Sequence, residues 1–133
     1  MNILHLVILY LQQQDRDRAE EEISILKELD HSKIIRYEGS YSSKTEVVIL
    51  MEYLDGGELF DRISEKSYTL TEADCRDFLT QICQGVCYLH SQNILHLDLK
   101  VRGCLSALSP PAGDRRSQWI SGLFIKCCEK SVV

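Results

Sequence analysis

Between Asp15 and about Leu29, the stretch DRDRAEEEISILKEL sets Ala19, Ile23, Leu26 and Leu29 at helical spacing among charged residues, which predicts an amphipathic helix. At about 100° per residue, Glu22 falls within about 40° of Leu26 and Leu29, whereas Glu20 points nearly opposite, so Glu22 is the acid turned towards the body of the protein. The pattern then changes. KIIRYEGSYSS and EVVILMEYL are rich in β-branched and aromatic residues and are separated by the polar SKT, which predicts an antiparallel hairpin. Asp55-Gly56-Gly57 ends the second strand, and a short helix follows over about Glu58 to Glu65. The longest element runs from Thr71 to about Ser91. Thr71 and Asp74 suit a capping box, and Phe78, Leu79, Ile82, Cys83, Val86, Leu89 and His90 form its apolar face.

Both ends depart from this regularity. The opening MNILHLVILYL is apolar for about nine residues, well short of the ~20 a spanning helix needs. It also lacks a basic leader and a small-residue cleavage site, so it reads as a strand or a stray apolar end. The closing VRGCLSALSPPAGDRRSQWISGLFIKCCEKSVV has a turn- or linker-like centre at Ser-Pro-Pro-Ala-Gly. Its WISGLFIKCC segment is apolar with no evident partner, which makes it an aggregation liability if exposed.

Composition narrows the classes. A chain of 133 residues with 44% hydrophobic content buries one modest core, so it is one domain or part of one. A net charge of −5 argues against a nucleic-acid binder, since Arg115-Arg116 is a lone basic pair. Six cysteines without a CxxC pair fit free thiols in a reducing compartment better than a disulfide framework. Cys83 and Cys87 lie one helical turn apart and could share a metal. With no ligand at zinc-finger spacing nearby, packed core thiols are the expected reading.

The order of helix, LDHSKIIRYEGSY, VVILMEYLDGGELFDRI and LTEADCRDFLTQICQGVCYLHSQNILHLDLK resembles the middle of a eukaryotic protein kinase domain. GGELFD together with HLDLK is similar to the myosin-light-chain, titin and death-associated kinase group of calcium/calmodulin-type serine/threonine kinases. The likeness covers about residues 16 to 100. It implies an α+β, helix-dominated, partial kinase-like fold, with a remnant of the N-lobe sheet and its helix plus the first helices of the C-lobe. Residues 1–14 are then a non-family apolar N-terminus, 15–100 the partial domain and 101–133 a divergent tail.

The resemblance also implies roles. Glu22, nine residues before His31, matches the helix glutamate that pairs with a strand lysine on the ATP phosphates. Met51 stands before the hinge, and Glu52, Tyr53 and Leu54 match the hinge whose backbone groups hydrogen-bond adenine. Glu58 matches a residue that reaches the ribose and a basic substrate side chain. Asp98 matches the catalytic base and Lys100 the lysine that steadies the γ-phosphate. His96 matches a structural histidine, and Leu97 replaces the arginine that would meet an activation-loop phosphate. ATP and Mg²⁺ are the implied cofactors.

Departures from the pattern are as specific. The metal-binding asparagine expected five residues after Asp98 is Gly103. No D-F-G or A-P-E follows, no Gly-rich loop precedes the first helix, and no lysine lies between Met1 and Leu26. Losing one well-placed electrostatic group lowers a rate by about 10²–10³-fold, or ~2.7–4 kcal/mol. The expectation is a serine/threonine kinase family member whose own phosphotransfer is negligible. Its partner would be a protein with basic residues near Ser or Thr, with no nucleic acid, no membrane and a cytoplasmic setting. The alternatives are a non-catalytic module that binds basic partners through Glu58, Asp61 and Glu65, or a non-functional product that leaves the kinase frame after Lys100.

Overall fold

The computed structural model describes residues 8–10, 13–44, 46–97, 99–109, 119–125 and 130–132. A short strand β1 (Ile8–Tyr10) leads to helix α1 (Gln13–Glu28), then strands β2 (Tyr37–Ser42) and β3 (Val47–Met51). Helices α2 (Leu59–Ile63) and α3 (Glu72–Ser91) follow, then β4 (Ile94–His96), a 3₁₀ turn (Val101–Gly103) and strands β5 (Cys104–Ser109), β6 (Trp119–Ile125) and β7 (Lys130–Val132). Residues 1–7 and 11–12 of the apolar opening lie outside the described residues; Ile8–Tyr10 take the strand form.

β1, β3 and β2 form one antiparallel sheet in that order, with β3 central. The expected hairpin is present, with a register shift between Tyr37 and Gly39. Val47, Ile49 and Met51 are buried while Val48 and Leu50 are half-buried, the period-2 alternation of a sheet with one face on a core. That core is α1. Ala19, Ile23, Leu26 and Leu29 meet Ile34, Ile35 and the buried side of β3, and Leu89 and Ile94 join from the helical part. A second cluster, Leu59, Phe78 and Cys104, sits under α2, and Ile82 packs against both.

The α3 start is set locally. The Thr71 hydroxyl accepts from the Asp74 amide at 3.1 Å, and the Asp74 carboxylate accepts from the Thr71 amide at 2.9 Å, so two orphan donors are satisfied reciprocally. At its other end Asn93 adopts φ 57°, the left-handed conformation that stops a helix and that asparagine tolerates. Hydrogen bonds from the Thr71 hydroxyl and amide hold the Asp74 carboxyl below the usual carboxylate range. A depressed folded value contributes stability above the ordinary Asp pKa of about 3.9 and loses it as pH falls through the lower folded value. Thr71→Ala is therefore expected to destabilise the chain by about 1 kcal/mol near neutral pH. Melting curves of Asp74→Asn and the unchanged chain should converge below about pH 4; a gap that widens on acidification would contradict the sign.

Two expectations need correction. On α3 the buried line is Phe78, Gly85 and Leu89, with Ile82 and Val86 half-buried, whereas Leu79 is 61% exposed and Cys83, Cys87 and His90 are exposed too. The two clusters cover only the strip centred on Phe78 and Leu89, and at about 100° per residue Leu79, His90, Cys83 and Cys87 fall progressively further round the helix. Cys83 and Cys87 are thus not packed core thiols. The tail is not without partners either. β6 pairs antiparallel with β5 from Cys104↔Ile125 to Ser109↔Trp119, and β7 pairs with β4. Open backbone edges recruit any strand-forming segment that can reach them. Most of the expected Ser-Pro-Pro-Ala-Gly turn, from Pro110, lies outside the described residues.

Candidate functional site

The helix α1 presents its third consecutive acid inward. Glu22 is 8% exposed, beside Ile23 and Leu26, while Glu20 and Glu21 face outward. Across the same core lies the end of β3, where Met51 is fully buried opposite Tyr37.

The chain leaves the sheet at Glu52, which is fixed twice: its amide donates to the Arg36 carbonyl at 2.9 Å, and its carboxylate accepts from the Arg36 amide at 3.0 Å. Its side chain is thereby tied to the residue just before β2. Tyr53 is exposed, and Leu54 is half-buried against the core. Among the described residues, no hydrogen bond engages the Glu52 carbonyl or the Leu54 amide.

The segment after Leu54 is seated on the tail. The Gly56 amide donates to the Ser106 carbonyl at 2.9 Å, the Ser106 amide to the Gly57 carbonyl at 2.9 Å, and the Ser106 hydroxyl to the same carbonyl at 3.0 Å. A Cβ on Gly56 would come within 2.3 Å of the Ser106 carbonyl oxygen, so only glycine fits. Gly57 has φ +67°, which suits a residue without a Cβ. Glu58 then caps α2 by position alone. It is half-buried, its side chain makes no cap bond, and its carbonyl accepts from the Asp61 and Arg62 amides. Nearby, Arg62 pairs with Glu65 at 2.9 Å and the Arg102 guanidinium lies 4.0 Å from the Phe60 ring centre.

At the end of β4, His96 is half-buried, and Leu97 after it is exposed; Asp98 lies outside the described residues. Lys100 is exposed and extended, and its carbonyl accepts from the Gly103 amide at 2.9 Å and from the Cys104 thiol at 3.6 Å. Burial pushes the Cys104 thiol pKa up, keeping it a neutral core group. A Cβ on Gly103 would meet only Lys100 Cγ at 3.8 Å, an ordinary contact, so the position has room for a side chain that it does not carry.

Further contacts lock α3 to the loop after α1. The Tyr88 and His31 rings stack at 4.7 Å, the Tyr88 hydroxyl accepts from the Asp30 amide at 2.9 Å, and Lys33 Nζ bonds Gln81 Oε1 at 2.7 Å. These residues carried no motif of their own. Their signal is contact between segments 48 to 58 residues apart, which spacing along one chain does not encode.

Comparison with known proteins settles the ancestry of this arrangement. The family model described as "Protein kinase domain" matches residues 8–107. The chain belongs to the protein kinase domain family. Human myosin light chain kinase family member 4 is 47% identical to it over 92 residues, which make up 69% of this chain and 24% of that protein. Myosin light chain kinase 3 of Danio rerio is 47% identical over 92 residues and 13% of its length. Among solved structures, the crystal structure of Rad53 1–466 in complex with AMP-PNP matches with a TM-score of 0.73 and 25% identity, covering 92% of this chain and 30% of that one. This kinase-family chain therefore spans a quarter or less of the length of these curated relatives.

Kinase-family membership implies ATP and Mg²⁺, and the two ends of that ligand fit this chain differently. At the end where the resemblance puts adenine, the Glu52 carbonyl and the Leu54 amide have no hydrogen-bond partner among the described residues, and Leu54 packs at the edge of the core. At the phosphate end, Gly103 offers no side-chain oxygen at the position where the resemblance puts the metal-binding asparagine.

Proposed function

We propose that these 133 residues form the adenine-facing and substrate-facing edge of a serine/threonine kinase cleft without transferring phosphate themselves. The observation that carries this reading is Gly103. It occupies the sequence position at which the resemblance puts the Mg²⁺-binding asparagine, its amide is taken up by the turn from Lys100, and the chain passes straight into β5. Within the reading, Met51, Glu52 and Leu54 frame the adenine edge. By the resemblance, Glu22, Asp98 and Lys100 match the family's residues for phosphate and hydroxyl.

Glu58 supports a second role for the same surface. Its carboxylate makes no cap bond at the start of α2, with Asp61 exposed one turn on, so a basic side chain of a protein partner meets two acids there. We also assign the chain to the cytoplasm, the compartment that suits its free thiols. No helix among the described residues is long and apolar enough to cross a membrane.

One experiment addresses both roles. A fluorescent peptide with arginines upstream of a serine is mixed with the full chain, with and without Mg·ATP. The expected result is no phosphate incorporation above the protein-free control, even for Gly103→Asn, which the open space at that position should let fold normally. Peptide binding independent of nucleotide and weakened by salt is expected beside it. Incorporation above control by the unchanged chain would overturn the silent reading, and salt-insensitive or absent binding would overturn the acidic-surface reading.

A further inference from the structure

The two thiols of the α3 outer face take no part in the cleft or the core: Cys83 and Cys87 are both free and exposed. Four residues apart on a helix, their Cβ atoms stand about 5–6 Å from each other. A disulfide needs about 3.5–4.5 Å, so the pair cannot close on itself without unwinding a helix that Phe78 and Leu89 anchor on its opposite side. A single atom inserted between the sulfurs removes that mismatch, because two metal–sulfur bonds of about 2.3 Å span more than one S–S bond of about 2.05 Å.

The donor count then selects the ion. Among the described residues, no group of three or more His, Cys, Asp or Glu side chains is placed to hold a metal. Among those residues Cys83 and Cys87 thus have no further side chains to complete the tetrahedral set zinc takes in structural sites. Two soft sulfurs alone suit a soft ion satisfied by few ligands, and thiolates select monovalent copper on those grounds. We propose that Cys83 and Cys87 form a two-thiolate site for monovalent copper on the outer face of α3. On binding, each thiol gives up its proton and each sulfur forms one bond to the ion; two protons leave per copper, and no electron changes hands.

The test uses the full chain, kept reduced and free of oxygen, with copper(I) supplied as its bicinchoninate complex so that loss of colour reads transfer to the protein. The chain should withdraw one copper ion more per molecule than Cys83→Ser/Cys87→Ser. Each single serine variant should weaken that site by at least about tenfold, since changes behind a ligand alone lower affinity 10–100-fold. Cys127→Ser/Cys128→Ser should keep the site. Circular dichroism should be the same for all, because both α3 positions are exposed. Equal uptake by the unchanged chain and the Cys83→Ser/Cys87→Ser variant, no loss in either single variant, or uptake abolished by Cys127→Ser/Cys128→Ser would overturn the proposal.

Discussion

Gly56→Ala is expected to lower the melting temperature by roughly 4–12 °C, from about 1–3 kcal/mol of overpacking at about 4 °C per kcal/mol for a chain of this size. The added methyl would sit 2.3 Å from the Ser106 carbonyl oxygen, which is backbone and cannot rotate away, so either the turn or β5 must retreat. Retreat breaks both backbone bonds that seat the hinge on the tail, from the Gly56 amide and to the Gly57 carbonyl. Amide exchange separates this cause from a general loss of stability: the Ser106 amide should lose its protection before the amides of β3 do. Gly57→Ala is the informative control. It introduces no contact within 4 Å but places a side chain at φ +67°, so it should be destabilised by about 1–2 kcal/mol while the Ser106 amide stays protected. A Gly56→Ala chain that melts with the unchanged one would mean the turn does not seat on β5.

The second large effect is expected at Leu89. This side chain is fully buried and joins α3 to the cluster built from α1 and β3, with Leu26, Ile49 and Met51 among its members. Leu89→Ala should destabilise the chain by about 2–5 kcal/mol, the range for a leucine removed from a packed core. Against a total of about 5–15 kcal/mol for a protein of ordinary stability, that is a large fraction, so a clearly lowered melting temperature is expected. Leu79→Ala, ten positions earlier on the same helix and 61% exposed, should stay within about 0.5 kcal/mol of the unchanged chain. Denaturant midpoints measured side by side check the pair, and equal midpoints would mean that the buried strip of α3 has been misplaced.

What the sequence made legible was local. The spacing of Ala19, Ile23 and Leu26, the Thr71 and Asp74 cap, and the β-branched runs around the hairpin each act over a few residues, so the α1, hairpin and α3 elements follow from them. The inward turn of Glu22 was legible for the same reason, since one helical angle decides it. The exposed side of α3 was not. An apolar strip can be wider than the surface it meets, and which of Phe78, Leu79 and Cys83 becomes buried depends on neighbours contributed by α1, α2 and β5. Gly85, at the centre of the buried strip, has no side chain to announce itself. Pairing of β6 with β5 was hidden likewise, because strand partners are chosen by register and reach rather than by composition. The seat of Gly56 and Gly57 on Ser106 was hidden for the same reason, because it depends on where the tail pairs.

The central claim is that the adenine edge is built while the metal and phosphate end is not. A calorimetric titration of the purified chain with ATP, run once with Mg²⁺ and once with EDTA, tests it most directly. The expected result is no saturable heat that depends on Mg²⁺ up to millimolar nucleotide, because Gly103 supplies no side-chain ligand where the family pattern has a metal-binding asparagine. Saturable binding near one site per chain, strengthened by Mg²⁺, would contradict the account and show that the phosphates are gripped by other groups of this chain.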